Sequence, residues 1–221
     1  VEWYQIEEQT WSSAEEAVPG SGIWVYRDVL KPSLKIIERL ESVVDSADND
    51  YNWREAMVGY QMKMPDYRDC VAFKYKKSDI EQDESPAGEA LKSLADDVTF
   101  RELQVVKDYT RRFHIGELRY WEATNYVKYG PGQHFQEHHD HGYSYNCVVS
   151  MVGFPNDDYE GGELYFEHFG IDIKLEQGDL IMFRGNAANL HGVREVLDGK
   201  RFNFIFFFRD YIQTEETIAN S

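Results

Sequence analysis

Several things that stabilise small secreted or membrane proteins are scarce in this 221-residue chain. It has two cysteines, Cys70 and Cys147, which could close at most one bridge, so a disulfide framework is excluded. Both sit beside strand-like apolar residues and read as buried thiols. No stretch approaches the roughly 18 apolar residues of a membrane span. The start, Val-Glu-Trp-Tyr, has neither the basic region nor the apolar region of a secretory signal. Residue 1 is not Met, so the start reports little about targeting; the expectation is a soluble, cytoplasmic protein. Basic residues are also few. Twenty-three Lys and Arg stand against 40 Asp and Glu, and a net charge of -17 repels a phosphate backbone, which disfavours nucleic acid as a partner. What is present is a core: 42% hydrophobic and 15% aromatic residues, with 15 Tyr and 13 Phe, exclude a disordered chain. The length predicts one domain over residues 1–221.

Pro32-Ser33 followed by Leu34, Ile36, Ile37, Leu40, Val43 and Val44 has apolar spacing near 3.6 and predicts an amphipathic helix over 33–46 with Ser33 as its cap. Residues 53–78 resist assignment except for a strand at Cys70–Tyr75. The polar run Ser78–Glu84 reads as a solvated loop. Ser85-Pro86 opens a helical region carrying Leu91, Leu94 and Ala95, and a second helical pattern from about Phe100 carries Leu103, Val106, Tyr109 and Phe113. From Leu118 the pattern changes to short apolar or alternating runs at 118–129, 145–153, 162–167, 171–175, 179–183 and 201–209, divided by Gly, Pro and Asn-Asp turns. Such runs predict a sandwich or barrel. Glu176-Gln177-Gly178-Asp179 reads as a hairpin turn between the runs on either side.

Four of seven histidines, His134, His138, His139 and His141, fall within eight residues. In an extended segment residues two apart share a face, so His138 and Asp140 can offer an imidazole and a carboxylate to one point. His191, between two strand-like runs, is the candidate third ligand. Two His and one carboxylate leave coordination positions open, as in non-haem Fe(II) sites that use dioxygen; a closed zinc site wants four ligands, usually with Cys. A His-rich polar loop is the plain alternative. Arg201 opens an aromatic and aliphatic run, so its guanidinium must reach solvent, pair with a protein carboxylate, or meet a buried anion such as a ligand carboxylate.

The segments Tyr129–Asp140, Asn156–Leu164, Gly178–Phe183, His191–Val193 and Gly199–Arg201 together resemble the 2-oxoglutarate and Fe(II)-dependent dioxygenases of the prolyl 4-hydroxylase type. The resemblance runs over about residues 118–209. It implies an α+β, mainly β fold, a double-stranded β-helix or jelly roll with flanking N-terminal helices: 118–209 as the catalytic core and 1–117 as an elaboration packed on it. It implies that His138, Asp140 and His191 hold Fe(II) and that Arg201 pairs with the distal carboxylate of 2-oxoglutarate. Tyr129 takes the position of a tyrosine lining the cosubstrate or substrate pocket. Gly161-Gly162 serves a tight turn and close backbone approach. Where related hydroxylases place Thr and Tyr near the cosubstrate, this chain has Ser150 and Phe154. Phe154 donates no hydrogen bond, so Tyr129 or Ser150 is expected to supply the donor. His139 and His141 are expected at surface or substrate-side positions. Trp121, Tyr126, Tyr143 and Tyr145 are candidates for an aromatic wall.

The implied reaction consumes 2-oxoglutarate and O2, hydroxylates an unactivated C–H bond and releases succinate and CO2, with ascorbate as a further cofactor candidate. The resemblance favours a prolyl residue in a peptide or protein, as in procollagen-proline hydroxylation. A free amino acid or small metabolite is the alternative, and a catalytically silent jelly-roll binding module is the alternative of another class. The acidic balance predicts a basic or neutral peptide. A local patch of Lys107, Arg111, Arg112 and Arg119 keeps a nucleic-acid substrate in view.

Overall fold

The computed structural model describes residues 5–7, 9–45, 51–58, 62–118, 120–121, 123–142 and 146–209. The strands in chain order are β1 (Glu15–Glu16), β2 (Trp24–Tyr26), β3 (Arg54–Glu55), β4 (Arg68–Asp69), β5 (Val71–Lys76), β6 (Ala123–Tyr129), β7 (His134–His138) and β8 (Val149–Gly153). They continue with β9 (Glu160–Gly161), β10 (Leu164–Phe166), β11 (Ile171–Ile173), β12 (Leu180–Arg184), β13 (His191–Val193), β14 (Val196–Asp198) and β15 (Arg201–Phe208). The helices are α1 (Ile36–Val44), α2 (Lys77–Glu81) and α3 (Pro86–Arg112). Antiparallel pairing builds an eight-stranded sheet, β1-β2-β12-β8-β15-β6-β5-β3, and a five-stranded sheet, β11-β10-β13-β7-β4; β9 and β14 pair separately. This is the mainly β jelly roll with flanking helices that the sequence pattern and the family resemblance lead one to expect.

Both faces of the large sheet are buried, and the period of two sorts its side chains between two cores. Tyr126, Met151, Met182, Phe204, Phe206 and Phe208 face the helices and join Leu91, Leu94, Val98 and Tyr109 of α3. Their neighbours Val127, Val152, Ile181 and Phe183 face the small sheet and meet Leu164, Phe166 and Val193. The alternation explains why β15 reads as one aromatic run: both sides of it are covered.

Helix α3 is continuous over 27 residues, not two helical pieces. Nothing between Gly88 and Arg112 breaks it, Pro86 opens it, and Ser85 Oγ accepts from Gly88 N at 3.1 Å as its cap. At α1 the expected helix over 33–46 is interrupted. Pro32–Leu34 form a 3-10 turn, and Lys35 takes a left-handed conformation (φ 50°), so the α-helix begins at Ile36 and Ser33 does not cap it. The polar run at 78–84 is partly helical, as α2.

The turn at Glu176–Asp179 forms but does not close a hairpin. Its incoming strand β11 pairs with β10 in the small sheet, whereas β12 pairs with β8 and β2 in the large one. The turn is held from the large sheet: Val29 N and Leu30 N donate to Gly178 O, and Arg27 and the Asp28 amide bind the Asp179 carboxylate. Gly178 has φ +95°, and a Cβ there would stand 2.5 Å from Leu30 O, so this inter-sheet crossing needs glycine.

The first 117 residues contribute β1 to β5 to the two sheets, the assigned strand at 70–75 appearing as β5. Buried Asp108 ties this segment together, accepting from Tyr26 Oη at 3.1 Å and pairing with Arg111 and Arg112. Lys107 Nζ donates to Ile6 O. The basic patch is therefore engaged internally at Lys107, Arg111 and Arg112, and Arg119 lies outside the described residues. Both cysteines are free and buried. No described helix is long and apolar enough to cross a membrane.

Glu102 is fully buried on α3 with both carboxylate oxygens unbonded, beside the Tyr75 and Tyr126 phenols. Burial raises its pKa well above the usual carboxylate range. The folded protein thus holds a proton that the unfolded chain releases above about pH 4.5, so stability falls as pH rises from there. Glu102→Gln, which has no proton to lose in this range, should flatten that fall. Thermal melts of both proteins between pH 5 and 8 check it.

Candidate metal centre

Strands β7 and β13 are antiparallel neighbours in the small sheet, and their register sets His191 opposite His138. That pairing puts two imidazoles side by side, with ring centroids 4.4 Å apart. Asp140 lies just beyond the end of β7, in a bend, so the ligand pair straddles the end of the strand instead of lying along it. His138 Nε2 stands 3.6 Å from Asp140 Oδ1, and His191 Nε2 stands 3.5 Å from Asp140 Oδ2. The three side chains offer ligand atoms all within 4.8 Å of one another.

Backbone contacts set the orientation of both rings. Gln136 O lies 2.9 Å from His138 Nδ1 and Asn189 O lies 2.9 Å from His191 Nδ1. A carbonyl accepts only, so each Nδ1 carries the proton and each Nε2 keeps its lone pair toward Asp140. Burial pushes His138 down to about 4, His191 adds to this and Asp140 opposes it, so the ring is neutral at physiological pH. Phe135 stacks on His138 at 3.8 Å and Phe183 meets His191 edge-on at 4.6 Å, excluding water from one side. Two neutral Nε2 donors and a carboxylate converging from one side fit a divalent ion with open coordination positions. Cys147 is not a fourth ligand; its Sγ contacts Val149 O and Ser150 Oγ.

Arg201, Tyr129 and Ser150 occupy the inner face of the large sheet. The Arg201 guanidinium is fully buried above the Tyr129 and Phe154 rings, at 5.2 and 5.1 Å. Nη1 donates to Asn203 Oδ1 at 2.8 Å, while Nε and Nη2 have no partner. No protein carboxylate pairs with it among the described residues, so the salt-bridge alternative does not hold. An unpaired buried cation is destabilising by several kcal/mol. The arrangement fits an anion bound from outside the chain. Gly162 makes room for the arginine: a Cβ there would lie 2.9 Å from Arg201 Cδ, and φ is +65°.

Burial raises the Tyr129 phenol, which stays a hydrogen-bond donor. Ser150 Oγ donates to Asp140 Oδ2 at 2.5 Å, so its hydroxyl is engaged with the triad carboxylate. A cavity of about 430 Å³ opens onto His138, Asp140 and His191 and onto Tyr129 and Asn203, the residues in contact with Arg201.

Of the other sequence candidates, His139 lines this cavity, while His141 binds Cys147 O and His134 approaches Asp66 O. Tyr126 packs on Phe73 and Trp121 on Phe208, both on the helix side of the large sheet, so neither walls the site. Tyr143 and Tyr145 lie outside the described residues. The aromatic walls are Tyr67, Phe135 and Phe207, with Met57, Arg68 and Lys74 completing the mouth. Met57, Tyr67 and Arg68 come from the part of 53–78 that sequence periodicity leaves unassigned, and Lys74 from the strand assigned within it. The short strand β4 owes its position to pairing with β7, and no local pattern reveals that.

Residues 124–209, which carry the whole triad and Arg201, match the 2OG-Fe(II) oxygenase superfamily. Over this segment, less than half of its length, the chain is similar to that superfamily. It is 35% identical over 91 residues to a PKHD-type hydroxylase of Prochlorococcus marinus, covering 38% of this chain and 40% of the relative. Over 109 residues it is 28% identical to prolyl 4-hydroxylase 1 of Arabidopsis thaliana, covering 37% and 38%. The chain thus spans about two-fifths of the length of these curated relatives. Among solved structures, a Trichoplax adhaerens prolyl hydroxylase in complex with a hypoxia inducible factor peptide fragment superposes with a TM-score of 0.65 at 17% identity, over 91% of this chain and 88% of that one. A Pseudomonas putida prolyl-4-hydroxylase gives 0.60 at 19% identity, over 85% and 92%. These likenesses establish the jelly-roll fold.

If the superfamily triad holds metal, Asp140→Ala should abolish Mn(II) binding in titration calorimetry. Ser150→Ala, which releases the carboxylate from its hydrogen bond, should weaken it by about tenfold.

Proposed function

We propose that the protein is a 2-oxoglutarate- and Fe(II)-dependent oxygenase that hydroxylates a prolyl residue in a peptide or protein. The carrying observation is a His-Asp-His triad lining a cavity between the sheets, with a buried arginine that lacks an anion behind the lining residues Tyr129 and Asn203. In this reading residues 1–221 form one domain, with 118–209 catalytic and 1–117 buttressing the large sheet.

His138, Asp140 and His191 would hold Fe(II), which supplies oxidising power from dioxygen at the expense of 2-oxoglutarate, giving succinate and CO2. The chain's own residues bind and orient. Arg201 offers Nε and Nη2 to the distal carboxylate of 2-oxoglutarate, a bidentate geometry that lysine cannot reproduce. Tyr129, kept protonated by burial, donates toward the same pocket. Ser150 and the carbonyls of Gln136 and Asn189 hold the three ligands in register. Val152, Leu164, Val193 and Ile205 make the rest of the cavity apolar, so the reaction proceeds away from bulk water.

A prolyl substrate is supported by the relatives named above and by the aromatic walls at the mouth, which suit an extended proline-containing segment. The cavity volume also suits a free amino acid, which is the competing substrate class.

Anaerobic addition of Fe(II) and 2-oxoglutarate should give a weak visible charge-transfer band, and air should then release succinate. A screen of proline peptides and free amino acids for succinate and a 16-dalton mass gain, with and without ascorbate, selects the substrate. Arg201→Ala should raise the 2-oxoglutarate requirement by about 100-fold with the band retained at saturation. Neither band nor succinate with any substrate would leave a silent binding module as the reading.

A further inference from the structure

The mouth of the cavity carries a charge opposite to that of the chain. Two cations line it from opposite sheets: Arg68 on β4 of the small sheet and Lys74 on β5 of the large one. Asp140, committed to the triad, is the one carboxylate among the described lining residues. Neither cation has an acidic partner among the described residues. Elsewhere the acidic excess is put to use: Arg27, Arg39, Arg111, Arg112 and Arg194 are each held by carboxylates.

Arg68 is not idle surface. Its guanidinium lies 4.6 Å from the centre of the Phe135 ring, which also stacks on His138, so one aromatic ring contacts both the cation and a triad residue. Nη1 donates to Met57 O at 3.1 Å, which steadies the arm, while Nε is buried without a partner. Lys74 is exposed opposite Asn125, where its ammonium can follow a flexible ligand. Low-dielectric walls concentrate the field of two such charges at the opening.

We infer that the substrate carries a carboxylate next to the reacting residue, recognised by Arg68 with support from Lys74. The inference rests on the oxygenase reading for the identity of the reacting centre, and it reverses the expectation from net charge, which points to a basic or neutral peptide. The carboxylate could be an acidic side chain in a peptide or the free carboxyl group of a small substrate.

Binding, read without turnover, separates this inference from the oxygenase reading. In one arm, fluorescence anisotropy compares blocked, labelled peptides with a central proline flanked by Asp, Asn or Lys. In the other, N-acetylproline competes against its amide. At low salt the carboxylate member of at least one arm should bind about tenfold better than its neutral partner, and the arm in which it does so names the source. Added salt should shrink the preference. Arg68→Gln should reduce it to within about twofold and Lys74→Gln should reduce it in part, while Arg68→Lys, which keeps the charge, should retain most of it. Lys74→Gln, exposed and free of packing, keeps the test valid if Arg68→Gln misfolds by circular dichroism. Equal binding of charged and neutral members, no binding in either arm, or a preference untouched by both glutamine variants would overturn the inference. A preference that persists while no 2-oxoglutarate is consumed would instead count against the oxygenase reading.

Discussion

The architecture depends on a sheet buried on both faces. Eight antiparallel strands carry alternate side chains to a helix-side core and to an inter-sheet core, so every strand register is specified twice. A slip of one residue in β15 would send Phe204 and Phe206 toward the small sheet and lift Arg201 away from Asn203, Tyr129 and Phe154. The same constraint that packs the hydrophobic core thereby aims the fully buried Arg201 guanidinium at the inter-sheet space. Helix α3, fastened to β2 through Asp108 and Tyr26, covers the outer face and leaves the inner one to the site.

Within that frame, charge is arranged against the grain of the whole. The protein is strongly acidic, yet among the described residues the charged side chains at the cavity, apart from Asp140, are cationic. Burying Arg201 without an anionic partner and leaving Arg68 Nε unbonded both work against stability. Such arrangements make physical sense where an anion arrives from solution. Net charge describes long-range repulsion and solubility, whereas a binding preference follows from the few charges inside a Debye length of the opening.

Much of the site was legible in the linear chain because its parts are local. The His138-x-Asp140 spacing, the isolated His191 and an arginine opening an aromatic strand each have a meaning that needs only a few neighbours; the structure brings the first three to one cavity and sets Arg201 against Tyr129 and Asn203, which line it. Strands β6, β8, β10, β11, β12 and β15 were legible for the same reason, as short runs bounded by Gly and Asn-Asp turns, whereas β7 and β13, which carry His138 and His191, were not among the runs. Errors fell where the partner was distant. The Gly178 turn looks like a hairpin from its residues alone, but the pairing of β11 with β10 in the small sheet and of β12 with β2 and β8 in the large one makes it a crossing between sheets. Lys35 breaks a well-formed helical pattern because the Pro32 turn comes first. Tyr126 looks adjacent to the ligands in sequence, yet strand alternation turns it to the far side of the sheet.

By itself, the sequence determined much of the secondary-structure grammar of the β region, the candidate ligand types and the need of Arg201 for solvent or an anion, since each follows from side-chain chemistry and short spacing. Only the tertiary structure decided that Ser150 serves Asp140 and that the mouth is walled by Tyr67 and Phe135. It also decided that Arg68 and Lys74 reach the same opening from different sheets. Those outcomes arise from pairings such as β4 with β7 and β5 with β6, between segments tens of residues apart. They are set by which edges and faces remain to be covered once the core has formed.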